Sequence, residues 1–231
     1  MDSVSGVPAS LLKHFTQVVA ELDQQFASEA GIMTDENQDA ILRDWLDADE
    51  TLPWASDGVT EDEWFFITTL YGEMTMDGQR THIRTFFPLF VHLTQGDMRA
   101  VTPAMVRDWK LRSTWMKTRL CRMASILSDR QMSMADYVNS LRRLEREANP
   151  ENPMPALDAI VADHKASGWK TLSVFVRDCV GGNCFPIDSR VAKELNRNRL
   201  PQDERLLVSL SLALGRNSRQ IARMFFAAGG E

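Results

Sequence analysis

Apolar residues along this chain return every three or four positions, the period of a helix with one buried face. Leu11, Leu12, Phe15, Val18, Val19, Leu22 and Phe26 form the first such stripe. Residues 61–71 are denser, with Trp64, Phe65, Phe66, Ile67 and Leu70, and predict a buried helix. A further helix is predicted over 81–93, after the run Met74-Thr75-Met76-Asp77-Gly78. Thr102-Pro103 is a start signal, an N-cap residue followed by proline at the first helical position. Two more helices are predicted over 115–127 and 133–148, the second opening on Ser133 and Asp136. Three prolines within 149–155 then break the pattern. Beyond them, helices are expected over 156–164, 169–180, 188–198, 202–214 and 218–228, with a tight turn at 165–168. No alternating strand and no internal repeat is visible, so the expected class is all-α.

With 44% hydrophobic and 25% charged residues among 231, the chain matches a globular protein with room for a sizeable core. No apolar run approaches the roughly 20 residues of a membrane helix, and the first residues carry no basic n-region, so a cytoplasmic protein without a membrane partner is expected. Cys121, Cys179 and Cys184 are too few for a disulfide framework or a four-cysteine iron–sulfur cluster. They read as packing thiols. His14, His82, His92 and His164 lack metal-ligand spacing, and no metal is expected. No glycine-rich phosphate loop or Ser/His/Asp order is present.

The net charge of −6 hides a strong asymmetry. Residues 1–80 hold seventeen acidic and three basic residues, −14, which leaves +8 for the remainder. Between 99 and 130, Arg99, Arg107, Lys110, Arg112, Lys117, Arg119, Arg122 and Arg130 face only Asp108 and Asp129. That run reads equally as a solvated helical surface or as a phosphate-facing one.

The chemistry-bearing pair is Lys170 and Asp188. A lysine opens an apolar helix, Gly181-Gly182 ends it, and an aspartate after Pro186-Ile187 opens the next. This layout can bring an amine and a carboxylate to one mouth between two helix N-termini, the equipment for forming a Schiff base. Taken singly, Lys170 reads as a solvent-facing helix lysine and Asp188 as an ordinary N-cap. Around them, a helix, a short turn with Gly168 and a second helix leave backbone N–H groups facing outward, as a phosphate oxygen requires.

The run Gly168-Trp169-Lys170-Thr171, followed at family spacing by Pro186-Ile187-Asp188-Ser189-Arg190-Val191, resembles the helix-hairpin-helix DNA glycosylase superfamily. The resemblance is to the endonuclease III and 8-oxoguanine glycosylase group. The Asp-Ser-Arg-Val-Ala form and the missing cluster cysteines are most similar to the archaeal-type 8-oxoguanine glycosylases. It covers roughly forty residues specifically; elsewhere only the helix order agrees. It implies a two-lobed helical fold with 81–180 as the hairpin-bearing lobe and 1–80 packing with 181–231 as the other. It also implies a monomer acting on double-stranded DNA with a damaged or modified base, 8-oxoguanine first. Lys170 would be the nucleophile, deprotonated by partial burial, and Asp188 the sugar-cation stabiliser. His164, Lys165, Ser167, Gly168, Trp169 and Arg190 would contact DNA.

The same resemblance implies no cofactor beyond a monovalent cation at the hairpin, and no iron–sulfur cluster. The family hairpin usually carries two glycines around a small apolar residue, whereas 165–168 carries one. A wedge or base-pocket residue is expected among Met74, Asp77, Gln79 and Arg80, with Trp169 a further candidate. Trp64, Tyr71, Trp109 and Trp115 are alternative walls. Two other readings stay open: an enzyme of the same scaffold acting on hypermodified phage or defence-associated bases, and a non-catalytic DNA-binding module.

Overall fold

The computed structural model describes residues 7–26, 58–71, 76–111, 113–165 and 168–230, and every regular element among them is helical. Helix α1, Ala9–Phe26, buries the face its spacing predicts, from Phe15 to Phe26. Helix α2, Glu61–Leu70, opens on a reciprocal cap. The Glu63 carboxylate accepts from the Thr60 N–H at 2.8 Å, and the Thr60 hydroxyl accepts from the Glu63 N–H at 3.2 Å. Every side chain from Trp64 to Leu70 is buried, so α2 needs cover on all sides. Aromatic rings supply much of that cover: Phe66 lies 4.4 Å from Phe90, and Phe65 meets Phe175 edge-on at 5.2 Å.

Helix α3, Met76–Thr94, begins well before the predicted residue 81. Asp77-Gly78 looks like a turn in sequence, but one glycine weakens a helix by only about 1 kcal/mol. The buried face carrying Ile83, Phe87 and Phe90 outweighs that. Met98–Ala100 makes one 3₁₀ turn. Helix α4, Pro103–Asp108, starts where Thr102-Pro103 predicts, with the Thr102 hydroxyl accepting from the Met105 N–H at 3.3 Å. Helices α5, Thr114–Asp129, and α6, Met134–Glu145, follow, the latter with a second capping box between Ser133 and Asp136.

The proline-rich break is closed by Asn149, whose Oδ1 accepts from the N–H groups of Glu151 and Asn152. Helices α7, Pro155–Asp163, and α8, Trp169–Phe175, flank the turn at 164–168. Regular helix does not continue to residue 180 as predicted. Val176–Val180 widens into a π turn, which Gly181 terminates at φ 81°. Helices α9, Ser189–Arg197, α10, Glu204–Ala213, and α11, Ser218–Ala228, complete the chain.

Helix α2 packs against α3, α5, α6, α8 and the π turn, while α1 packs against α10 and α11, and α9 against α11. Helix α2, expected to group with 181–231, thus packs chiefly with helices from the middle of the chain through its buried run Trp64–Leu70. One continuous hydrophobic core joins the two sets of helices. Among the described residues, no helix is long and apolar enough to cross a membrane.

Candidate active site

The turn between α7 and α8 takes left-handed backbone at Lys165, φ 53°, and at Gly168, φ 73°. Glycine at 168 answers two demands, because a Cβ there would land on the Arg119 guanidinium. Arg119 reaches in from α5 and is only 1% exposed. Its Nη1 donates to the Thr171 hydroxyl and its Nη2 to the Gly168 carbonyl at 3.3 Å, while the guanidinium lies 4.6 Å from the Trp115 ring centre. Burial brings its pKa down to about 10, which leaves it charged at neutral pH.

The Cβ side of Gly168 is thus occupied by the protein's own cation. The Gly168 carbonyl also accepts from the Leu172 N–H at 3.2 Å and the Thr171 hydroxyl at 3.2 Å. Three donors thus converge on that oxygen.

His164, expected at the surface of the turn, is 3% exposed, stacked 5.6 Å from Phe65, and lies inside the core. Burial, reinforced by the nearby charge of Arg119, brings its pKa down to about 3. Beside it, the Asp163 carboxylate accepts from the Tyr137 hydroxyl at 2.8 Å and from Arg130 Nη1 at 3.0 Å, and the Asp163 carbonyl from Arg122 Nε at 2.9 Å. Arg119, Arg122 and Arg130 therefore brace the base of the turn. Arg99 pairs with Asp97 at 2.7 Å. Arg107 and Lys110 are exposed, Lys117 is half-buried, and Arg112 lies outside the described residues.

Lys170, in the first turn of α8, is exposed. The partial burial expected of it is not there. Trp169 and the buried Ser173, four residues apart, share the face of α8 turned toward Glu204, and Lys170 lies about 100° round the helix from Trp169. Trp169 is 36% exposed, with its indole N–H donating to Glu204 Oε2 at 2.8 Å. Asp188 is half-buried and caps α9, its Oδ1 accepting from the Val191 N–H at 2.8 Å.

Two carboxylates that sequence reasoning missed hold the segment leading into Asp188. Glu145 accepts from the backbone N–H and side-chain amide of Asn183 at 2.6 and 2.7 Å, and burial pushes its pKa up. Glu204 Oε1 accepts from the Phe185 N–H at 2.9 Å and from the Ser173 hydroxyl. Cys184 is buried between these anchors; burial and the Glu204 charge push its thiol pKa well up, which makes it unreactive. The π turn carries a third unforeseen feature. Asp178 pairs with Arg177 at 2.5 Å and with Arg223 at 3.6 Å inside the protein. Burial opposes the Arg177 charge, but Asp178 outweighs it and raises the pKa. Burial raises the Tyr71 pKa alongside.

Of the remaining expected contacts, Lys165 is exposed at the turn. Arg190 is half-buried, its guanidinium 4.9 Å from the Phe226 ring centre. Gln79 is half-buried on α3, and Asp77 pairs with Arg80 at 3.6 Å. Trp64 and Trp109 are core residues, Trp115 lies under Arg119, and Tyr71 is half-buried. Met74 and Ser167 lie outside the described residues. Among the described residues, no three His, Cys, Asp or Glu side chains cluster as metal ligands. No family model matches the chain, and neither a curated protein nor a solved structure matches it.

Proposed function

We propose that this protein is a DNA N-glycosylase with an associated β-elimination lyase step, acting on a damaged or modified base in double-stranded DNA. An oxidised purine such as 8-oxoguanine is the favoured substrate, on the strength of the Asp188-Ser189-Arg190-Val191-Ala192 sequence. In this reading α7, the turn and α8 act as the helix-hairpin-helix of a two-lobed glycosylase fold, and the protein works as a cytoplasmic monomer. The observation that carries the reading is that one buried carboxylate, Glu204, binds both the helix turn bearing Lys170 and the segment entering Asp188. Exposed Lys165 and Trp169 on the same turn supply a charge for a phosphate and a ring for a base.

The target nucleotide must first leave the stack. The Lys170 amine then attacks the deoxyribose C1′; a C–N bond forms as the N-glycosidic bond breaks, and the base departs with its bonding electrons and takes a proton. Asp188, as the carboxylate, stabilises the positive charge developing on the sugar, and the proton shed by the attacking nitrogen goes to the departing base. Because Lys170 is exposed in the free protein, its activation belongs to the DNA-bound state, where duplex excludes water from the amine. The resulting imine permits β-elimination and a nick 3′ to the lesion.

A second reading, a non-catalytic DNA-binding module, is favoured by the exposure of Lys170 and the ordinary capping role of Asp188. Borohydride trapping on a panel of lesion-bearing and hypermodified duplexes separates the two. A covalent adduct with any member supports the enzyme. Tight duplex binding with no adduct and no base release selects the binding module.

A further inference from the structure

We infer that Glu204 is the positioning residue of this site: its buried carboxylate sets where Lys170 stands relative to Asp188. The inference rests on the reading of that pair given above. Glu204 occupies the first turn of α10, is 9% exposed, and accepts from the Trp169 indole N–H, the Ser173 hydroxyl and the Phe185 N–H. Trp169 and Ser173 flank Lys170 and share one face of α8. A single acceptor gripping both fixes the rotation of that helix about its axis, and with it the direction from which Lys170 leaves.

The same carboxylate fixes the other partner. Phe185 stands three residues before Asp188, and Pro186 between them restricts the backbone. The helix carrying Glu204 is itself anchored. Asp203 caps it through the Leu206 N–H at 3.0 Å, and Arg205 pairs with Asp158 of α7. α7, α8 and the approach to Asp188 therefore converge on one helical turn. The chemistry of the residue suits the task, since three donors converge on a group that only accepts. Glutamine at this position would turn an NH₂ toward one of those donors and leave it unsatisfied.

The test uses full-length Glu204→Gln and Glu204→Asp, with Ser173→Ala and Trp169→Phe as milder variants that remove one donor each. Hydrogen exchange is followed at the Phe185 amide and the Trp169 indole N–H, together with single-turnover borohydride trapping and duplex affinity. Glu204→Gln is expected to speed exchange at both sites and to slow trapping about 10- to 100-fold, the scale of a lost charge-assisted hydrogen bond. Duplex affinity should stay within about threefold, since Glu204 is buried and offers no donor to a phosphate. Glu204→Asp should recover part of the loss. Should Glu204→Gln fail to fold, Ser173→Ala must still slow trapping without weakening duplex binding. Unchanged trapping in Glu204→Gln, or faster exchange at only one of the two sites, overturns the inference. If the unsubstituted protein traps on no lesion, the reading of the pair fails instead, and exchange at the two sites alone decides whether Glu204 holds them together.

Discussion

Replacing Gly168 by alanine should destabilise the protein far beyond the usual effect of a surface turn substitution. Gly168 has φ 73° and ψ 45°, where a Cβ adds about 1–2 kcal/mol of strain. Restricting the unfolded chain offsets about 0.4–1 kcal/mol of that. The larger part comes from Arg119, because the new methyl group would occupy the position of its guanidinium. Arg119 is 1% exposed and cannot swing into solvent without opening the core beside Trp115. Losing one charge-assisted hydrogen bond, to Thr171 or to the Gly168 carbonyl, adds about 1.5–3 kcal/mol. The sum is about 2–4 kcal/mol, measured as a lower urea midpoint at unchanged slope. A double-mutant cycle locates the cause. In an Arg119→Met background, Gly168→Ala should cost only the backbone share, about 1 kcal/mol, so the coupling should reach about 1.5–3 kcal/mol. Equal costs in both backgrounds would refute the packing of Arg119 over Gly168.

Other expectations follow from the same geometry. His164 has its pKa lowered from 6.5 to about 3, so the unfolded chain binds the extra proton between those values. Its contribution is full above pH 6.5 and falls on acidification by about 1.4 kcal/mol per pH unit until about pH 3. Urea titrations across that window should show a shallower acid loss for His164→Phe than for the parent. Asp188→Asn keeps an N-cap for α9 and should retain the parent melting temperature while losing base excision; Asp188→Ala should also lose about 1 kcal/mol of stability. Equal melting temperatures for the two would remove the capping role. Lys165→Ala should reduce the salt slope of duplex binding by about 0.9, one phosphate contact. An unchanged slope takes Lys165 out of the interface.

Local signals were the legible ones. Thr102-Pro103, the Ser133 and Asp136 box and the Asp188 cap all act within three residues of themselves, and each appears where its spacing predicts. The amphipathic face of α1 is legible for the same reason. What escaped depends on partners remote in sequence. Glu204 draws its donors from 35, 31 and 19 residues away, and nothing in the helix start at 202–205 marks it. His164 looked like a surface residue beside a turn, but Phe65, on a helix far upstream, takes it into the core. Arg119 belonged to a cationic run whose members look alike, and only the fold separates the one that packs on Gly168 from those that face water. The π turn at Val176–Val180 likewise carries an internal ionic cluster completed by Arg223 of α11.

In the proposed reaction the amine of Lys170 becomes bonded to DNA at an excised nucleotide. Peptide mapping by mass spectrometry of the borohydride-reduced adduct tests it most directly, using a duplex with a single 8-oxoguanine alongside an abasic-site duplex. A deoxyribose-derived mass is expected on the peptide containing Lys170, lost in Lys170→Ala and sharply reduced in Asp188→Asn. An adduct mapped to another lysine or to the N-terminus, or one that persists undiminished in Lys170→Ala, would contradict it.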